Sequence, residues 1–219
     1  MNLNQEELKE LASQLSHPKG DNGLIVADKM HETNQNMTVT CYEILEPKRN
    51  DALLEIGHGS GKHLSELIKI YNITTYQGIE ISKSMHELAK ESNAKEINEG
   101  KARFELYDGK IIPVSNNNFD KVVTVNTIYF WEKPIELLNE IYRVLKPGGQ
   151  CAIGYVNADT MKNLPFTAHG FTLYPEQKIK RLCDDSHFES YRINTYNEKV
   201  KSNAGEEIDR KFHVLILSK

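Results

Sequence analysis

From residue 52 onward the chain alternates short apolar runs with stretches of helical spacing, and this rhythm constrains the fold more than any other feature. Ala52-Leu53-Leu54-Glu55-Ile56 is mostly apolar, as expected for a strand covered on both faces. Residues 61–71 follow as a helix with Leu64, Leu67, Ile68 and Tyr71 on one side. The pattern then predicts a strand over 75–79, a helix over 84–98 carrying Met85, Leu88 and Ala89, and strands over 103–107 and 121–125. A helix over 134–145 turns Ile135, Leu138, Ile141, Tyr142 and Leu145 inward and leads to a strand over 150–156. A helix over 175–183 precedes strands over 187–196 and 210–217, which have no long helix between them. The expected fold is α/β: a Rossmann-like, doubly wound, mostly parallel seven-stranded sheet with right-handed crossovers and an antiparallel C-terminal hairpin.

The N-terminal residues follow a different rhythm. Residues 6–15 place Leu8, Leu11, Ala12 and Leu15 at helical spacing, residues 17–23 break the pattern, and a second helical stretch runs over 24–45 in one or two pieces. The polar turn Pro47-Lys48-Arg49-Asn50-Asp51 sets a boundary, giving a helical lid over 1–50 and a main domain over 51–219. The lid either closes over a ligand and excludes water or forms a dimer contact, leaving monomer and homodimer both open. Met30 and Asn34 are its candidate contact positions.

Net charge is -4, so no broad basic surface advertises nucleic acid, and a small-molecule partner is expected. Cys41, Cys151 and Cys183 lie far apart, as suits a reducing compartment. The first residues lack signal-peptide character, and no run approaches the roughly 18–20 apolar residues of a membrane span. A cytoplasmic protein is expected.

The chemistry concentrates where the first strand ends, in Glu55-Ile56-Gly57-His58-Gly59-Ser60-Gly61. Glycines there let the backbone approach a ligand, and in open parallel sheets the ligand crevice lies at the carboxyl ends of the strands. Alone, Gly-x-Gly-x-Gly is also compatible with a plain tight turn. Glu80 ends the second strand, where a carboxylate can accept from both hydroxyls of a ribose. Asp108-Gly109 ends the third, where a carboxylate can accept from an adenine amino group. Leu145-Lys146-Pro147-Gly148-Gly149 closes the helix after the fourth strand with a sharp turn.

With these motifs at four strand ends, residues 52–156 resemble the class I S-adenosylmethionine methyltransferases, especially the ubiquinone/menaquinone-biosynthesis-like group. The resemblance implies S-adenosylmethionine as cofactor. Glu55, Gly57, Gly59 and Gly61 would hold its methionine end, Glu80 the ribose and Asp108 the adenine, with Ile81 and Met85 packed against that ring. Phe119-Asp120-Lys121-Val122-Val123-Thr124-Val125-Asn126 looks like the family's fourth strand, so Asn126 would end beside the transferring methyl. Gly109 and the backbone of His58 complete the expected cofactor contacts. A dinucleotide-binding oxidoreductase needs glycine where Lys62 stands, and its pyrophosphate would sit badly against Glu55. A module that binds the cofactor without transferring methyl groups remains an alternative, which a plugged pocket mouth would favour.

Acceptor contacts are expected from the lid and from the loops after the fourth and fifth strands. In Asn126-Thr127-Ile128-Tyr129-Phe130-Trp131, Tyr129 and Trp131 either wall the acceptor pocket or pack the next helix. The stretch 164–171 covers it from the other side. Tyr129, His169 and His31 are the candidate acceptor-orienting groups or bases, although each histidine reads more readily as a polar surface or loop residue. His58 and His63 share no ligand partner, so no metal site is expected.

Overall fold

The computed structural model describes residues 3–201 and 207–219. Helix α1 (Gln5–Ser16) starts at a capping box in which Asn4 and Glu7 satisfy each other's backbone amides, and α2 (Gly20–Leu45) follows three residues later. The expected break over 17–23 is therefore shorter, and α2 is one helix. Gly23 lies inside it, where a Cβ would come within 2.9 Å of the Pro18 carbonyl carbon, so glycine lets the inter-helix link pass close by.

The strands are β1 (Ala52–Ile56), β2 (Thr75–Glu80), β3 (Ala102–Leu106), β4 (Phe119–Val125), β5 (Leu145–Val156), β6 (Ser190–Lys201) and β7 (Glu207–Ser218). Among the described residues they form one seven-stranded sheet of order β3-β2-β1-β4-β5-β7-β6. The five strands from β3 to β5 run parallel, and β7 inserts antiparallel between β5 and β6. Strands are added to one side of β1 up to β3 and to the other side from β4 on, and this reversal of strand order opens a crevice at the carboxyl ends of β1 and β4.

Helices α3 (Leu64–Tyr71), α4 (Lys83–Ser92), α5 (Ala94–Asn98), α6 (Pro134–Val144), α7 (Ala158–Lys162) and α8 (Glu176–Asp184) complete the fold. The helix expected over 84–98 is two pieces, because Asn93 turns its amide onto the carbonyls of Ala89 and Gly61 and ends α4. In α6 the inward stripe is Leu137, Leu138, Ile141 and Val144; Ile135 lies off that stripe and is exposed, and Tyr142 is only half-buried. The turn expected over 145–149 belongs to β5. Phe119 pairs with Leu145 and Lys121 with Gln150, so residues 146–149 bulge out of the ladder, with Gly148 at φ +77°.

Met37, Cys41, Tyr42 and Leu45 of α2 are fully buried in the same core as the sheet. A Cβ on Gly154 of β5 would come 2.9 Å from Cys41 Sγ and 3.0 Å from Met37 Cγ, so the C-terminal half of α2 lies directly on the strand. No described helix is long and apolar enough to cross a membrane.

Candidate active site and cofactor pocket

The carboxyl ends of β1, β2, β4 and β5 meet beneath α1 and α2, and a cavity of about 250 Å³ opens between them. Its floor is the turn after β1, where Gly57, Gly59 and Gly61 take φ values of +72°, +57° and +62°. The three glycines serve different ends. A Cβ on Gly57 would lie 2.5 Å from Thr127 Cγ2, and one on Gly61 would lie 3.0 Å from both Ala89 Cβ and Asn93 Nδ2. A Cβ on Gly59 would enter open space, so that residue keeps the backbone uncovered.

Glu80, at the end of β2, is buried in the cavity wall. Its Oε2 accepts from the Gly59 amide at 3.1 Å, and its Oε1 accepts from the amides of Ile81 and Ser82 at 2.8 and 3.0 Å. Burial pushes its carboxyl above the usual range, and these three amides offset only part of that rise. Ile81, Met85, Tyr107 and Gly109 form the wall beside it.

Glu55 faces a smaller cavity of about 70 Å³ on the other side of the glycine turn. Its Oε2 accepts from Tyr42 Oη at 2.9 Å, Tyr76 Oη at 2.8 Å and His63 Nε2 at 2.9 Å. Burial alone would raise the Glu55 carboxyl, but the charge and hydrogen bond of His63 outweigh it and bring the carboxyl down to about 2. For His63 burial opposes protonation, and the carboxylate overrides it to hold the imidazole above its usual value. His31, on α2, stacks on His63 with ring centroids 6.5 Å apart; burial and the His63 charge keep it below the usual range. His58 packs edge-on to Phe104, and burial lowers it to about 4, so at neutral pH its Nδ1 donates to the Gly59 carbonyl at 2.9 Å.

The opposite end of the main cavity is aromatic. Tyr129, Phe130, Trp131, Phe166 and Phe171 line it, with Met30 and Asn34 from α2 and Arg210 from β7. Asn126, in the left-handed region at φ +56°, donates to Asn34 Oδ1 at 2.9 Å and accepts from Tyr129 Oη at 3.1 Å. The Val156 amide donates to the same hydroxyl at 2.6 Å. This chain of bonds joins α2 to the ends of β4 and β5. Burial pushes the Tyr129 hydroxyl far above its usual range, so it stays protonated.

Of the residues singled out from the sequence, Gly57, Gly59, Glu80, Ile81, Met85, Gly109, Asn126 and Tyr129 line the main cavity. Glu55, His58 and His31 line the smaller one, which shares Gly57 and Gly59 with it. Gly61 packs behind the turn, and His169 lies outside both cavities. Asp108 is exposed and outside both, its Oδ1 accepting from the Lys110 and Ile111 amides at 2.9 and 3.0 Å. Sequence reasoning missed Arg210 and the three donors around Glu55. Tyr42, Tyr76 and Arg210 are brought in by packing from distant positions, and no local motif marks them.

A glycine turn and a strand-end acid sharing one cavity at the switch point of a doubly wound sheet define a nucleoside-binding α/β protein. Residues 54–153 match the family described as Methyltransferase domain. The chain is 32% identical over 126 residues to the uncharacterized methyltransferase YdaC of Bacillus subtilis, covering 57% of this chain and 66% of that one. It is 30% identical over 166 residues to the uncharacterized protein MJ1123 of Methanocaldococcus jannaschii, covering 72% and 70%. Its fold matches the crystal structure of an S-adenosylmethionine-dependent methyltransferase from Aquifex aeolicus with a TM-score of 0.66 at 19% identity, over 91% of this chain and 99% of that one. Several curated methyltransferases match over only 41% to 66% of their own length. The chain belongs to the class I S-adenosylmethionine-dependent methyltransferases.

The residues present fit S-adenosylmethionine, the cofactor of that family. The space where a Gly59 Cβ would sit is open, Glu80 offers a carboxylate in the cavity wall, and partly exposed Ile81 beside Met85 supplies an apolar surface for a base.

Proposed function

We propose that this protein transfers a methyl group from S-adenosylmethionine to a small-molecule acceptor, with the aromatic end of the cavity receiving that acceptor. One observation carries the reading: Gly59 and Glu80 line the same cavity as Tyr129, Trp131 and Phe171. The bound cofactor supplies an electrophilic methyl on a sulfonium, so the chain's task is alignment and exclusion of water. Glu80 grips the ribose and Ile81 with Met85 flank the base. Asp108 keeps its Oδ2 to accept from an adenine amino group while its Oδ1 holds the Lys110 and Ile111 amides. Glu55, fixed by Tyr42, Tyr76 and His63, holds negative charge near the methionine end. Asn126 and Tyr129 fix the chamber where the methyl arrives, and α1 and α2 cover it. Holding two reactants at near-attack distance contributes on the order of 7–11 kcal/mol.

The test has two parts. Calorimetry on the full chain is expected to show S-adenosylhomocysteine binding and no tight binding of NAD; the reverse result rejects the assignment. Transfer of labelled methyl to at least one acceptor in a panel of phenols, quinols, amines and thiols is then expected. Binding without transfer to any of them would favour a cofactor-sensing module.

A further inference from the structure

The acceptor end of the cavity carries one formal charge among its described lining residues, and it is positive. The titratable groups along the wall are Glu80 at the cofactor end, Tyr107, Tyr129 and Arg210. Arg210 stands two residues before Phe212, which pairs with Val156 at the carboxyl end of β5, so it sits on β7 just past the end of β5 and lines the cavity there. Its Nε donates to Glu198 Oε1 at 2.7 Å and its Nη2 donates to the Thr33 carbonyl of α2. Nη1 has no partner among the described residues. Glu198 forms a buried ion pair with this guanidinium, but on its Nε side. Its second oxygen accepts from Asn36 at 2.8 Å, and the residue lines a groove between α2 and β6 instead. The cavity therefore meets the guanidinium and not its counter-ion.

At that end the wall offers no side-chain base to an incoming substrate, its one carboxylate, Glu80, standing at the cofactor end. Among the described residues that line it there is no histidine, cysteine, lysine or aspartate, and the Tyr129 hydroxyl is held between Asn126 and the Val156 amide. His31 faces the smaller cavity beyond the glycine turn. An acceptor that needs a side-chain base to lose its proton finds none, whereas one acidic enough to ionise in water arrives ready. A cationic amine would meet a guanidinium with no carboxylate at that end to receive it.

We propose that the acceptor is a planar, largely apolar molecule bearing an acidic hydroxyl, a phenol or an enol, which enters ionised with its oxyanion held against Nη1 of Arg210. The aromatic side chains pack its plane, and the guanidinium supplies the charge-assisted bond. The proton leaves to solvent before entry. The oxygen–methyl bond then forms as the sulfur–methyl bond breaks, giving a methyl ether and S-adenosylhomocysteine. This rests on the methyl-transfer reading above and names the substrate class of that site.

The test is titration of the full chain, saturated with S-adenosylhomocysteine, with 4-nitrophenol and with 4-nitrobenzylamine. The phenol is expected to bind and to bind more tightly as pH rises through its own ionisation, and the amine to bind at least about tenfold more weakly. Arg210→Leu is expected to weaken the phenol by about tenfold or more, with Arg210→Lys in between and S-adenosylhomocysteine affinity unchanged. Because Arg210→Leu leaves Glu198 buried without its partner, the double variant Glu198→Leu/Arg210→Leu is measured beside it and is expected to lose the phenol equally. Equal or tighter amine binding, absence of phenol binding, or full phenol affinity in the double variant would overturn the proposal. Failure of S-adenosylhomocysteine itself to bind would instead reject the methyltransferase reading.

Discussion

Glu80 and Gly57 show how single residues set this site, one by charge and the other by the absence of a side chain. Glu80 is buried, and burial lifts its carboxyl above the usual range, so in the role proposed for it the bonds to a ribose would compete with protonation. As pH falls through that raised value the carboxylate is lost as an acceptor. Affinity for S-adenosylhomocysteine is therefore expected to fall in mildly acid solution. Glu80→Gln should bind about tenfold more weakly near neutral pH and lose that pH dependence, which calorimetry across pH measures directly. Gly57 must adopt a positive φ and leave space for Thr127. Gly57→Ala is expected to lower stability by about 1–2 kcal/mol from the backbone conformation, with the clash added to it. Pairing it with Thr127→Ser, which removes the crowded methyl, should recover the second part and leave the first. Denaturant titration of the two variants would show no such recovery if the clash were unimportant.

The elements are tied together by polar groups from different parts of the chain. Glu55 on β1 holds Tyr42 of α2, Tyr76 of β2 and His63 just before α3. The His63 imidazole has a raised folded value, so its contribution is complete below about 6.5 and fades as pH rises through that folded value. The Glu55 carboxyl is depressed, so its contribution is complete above about 4.5 and fades as pH falls toward about 2. The pair is worth most between these limits. Wild-type stability is expected to fall on moving from pH 6 to pH 9 by more than that of His63→Gln, read from denaturation midpoints. Identical pH profiles would remove His63 from the coupling. The Asn34–Asn126 bond joins α2 to β4 in the same manner, so the cover of the cavity and its floor are one assembly.

At the scale of the whole molecule, the boundary drawn at residues 50/51 falls in the turn between α2 and β1, yet Met37, Cys41, Tyr42 and Leu45 belong to the core of the sheet. Removing them would expose apolar surface on β5 and strip Glu55 of a donor. A chain beginning at residue 51 is therefore expected to lose its cooperative thermal transition and its near-ultraviolet circular dichroism signal. A sharp transition in that shorter chain would show that α2 is dispensable. The first half of the helical region behaves differently: Leu24 and Ile25 are exposed, while Met30 and Asn34 look into the cavity.

The alternation of apolar runs and helical stretches was enough to determine the strand count, the parallel sheet and the late hairpin, because burial on both faces dictates composition locally. The glycine turn and Glu80 were legible for the same reason, each being a strand-end feature with its own residue type. Helix details were not: Asn93 divides one predicted helix and Ile135 turns outward because of contacts made elsewhere in the fold. Only the tertiary structure put His31 beside His63, turned Asp108 onto its own loop and left His169 outside the chamber. It alone brought Arg210 to the aromatic end of the cavity, 130 residues after Glu80. Local sequence carries information about what a segment must bury. Which distant charges end in one cavity depends on strand order and helix packing, and no window of the chain contains that.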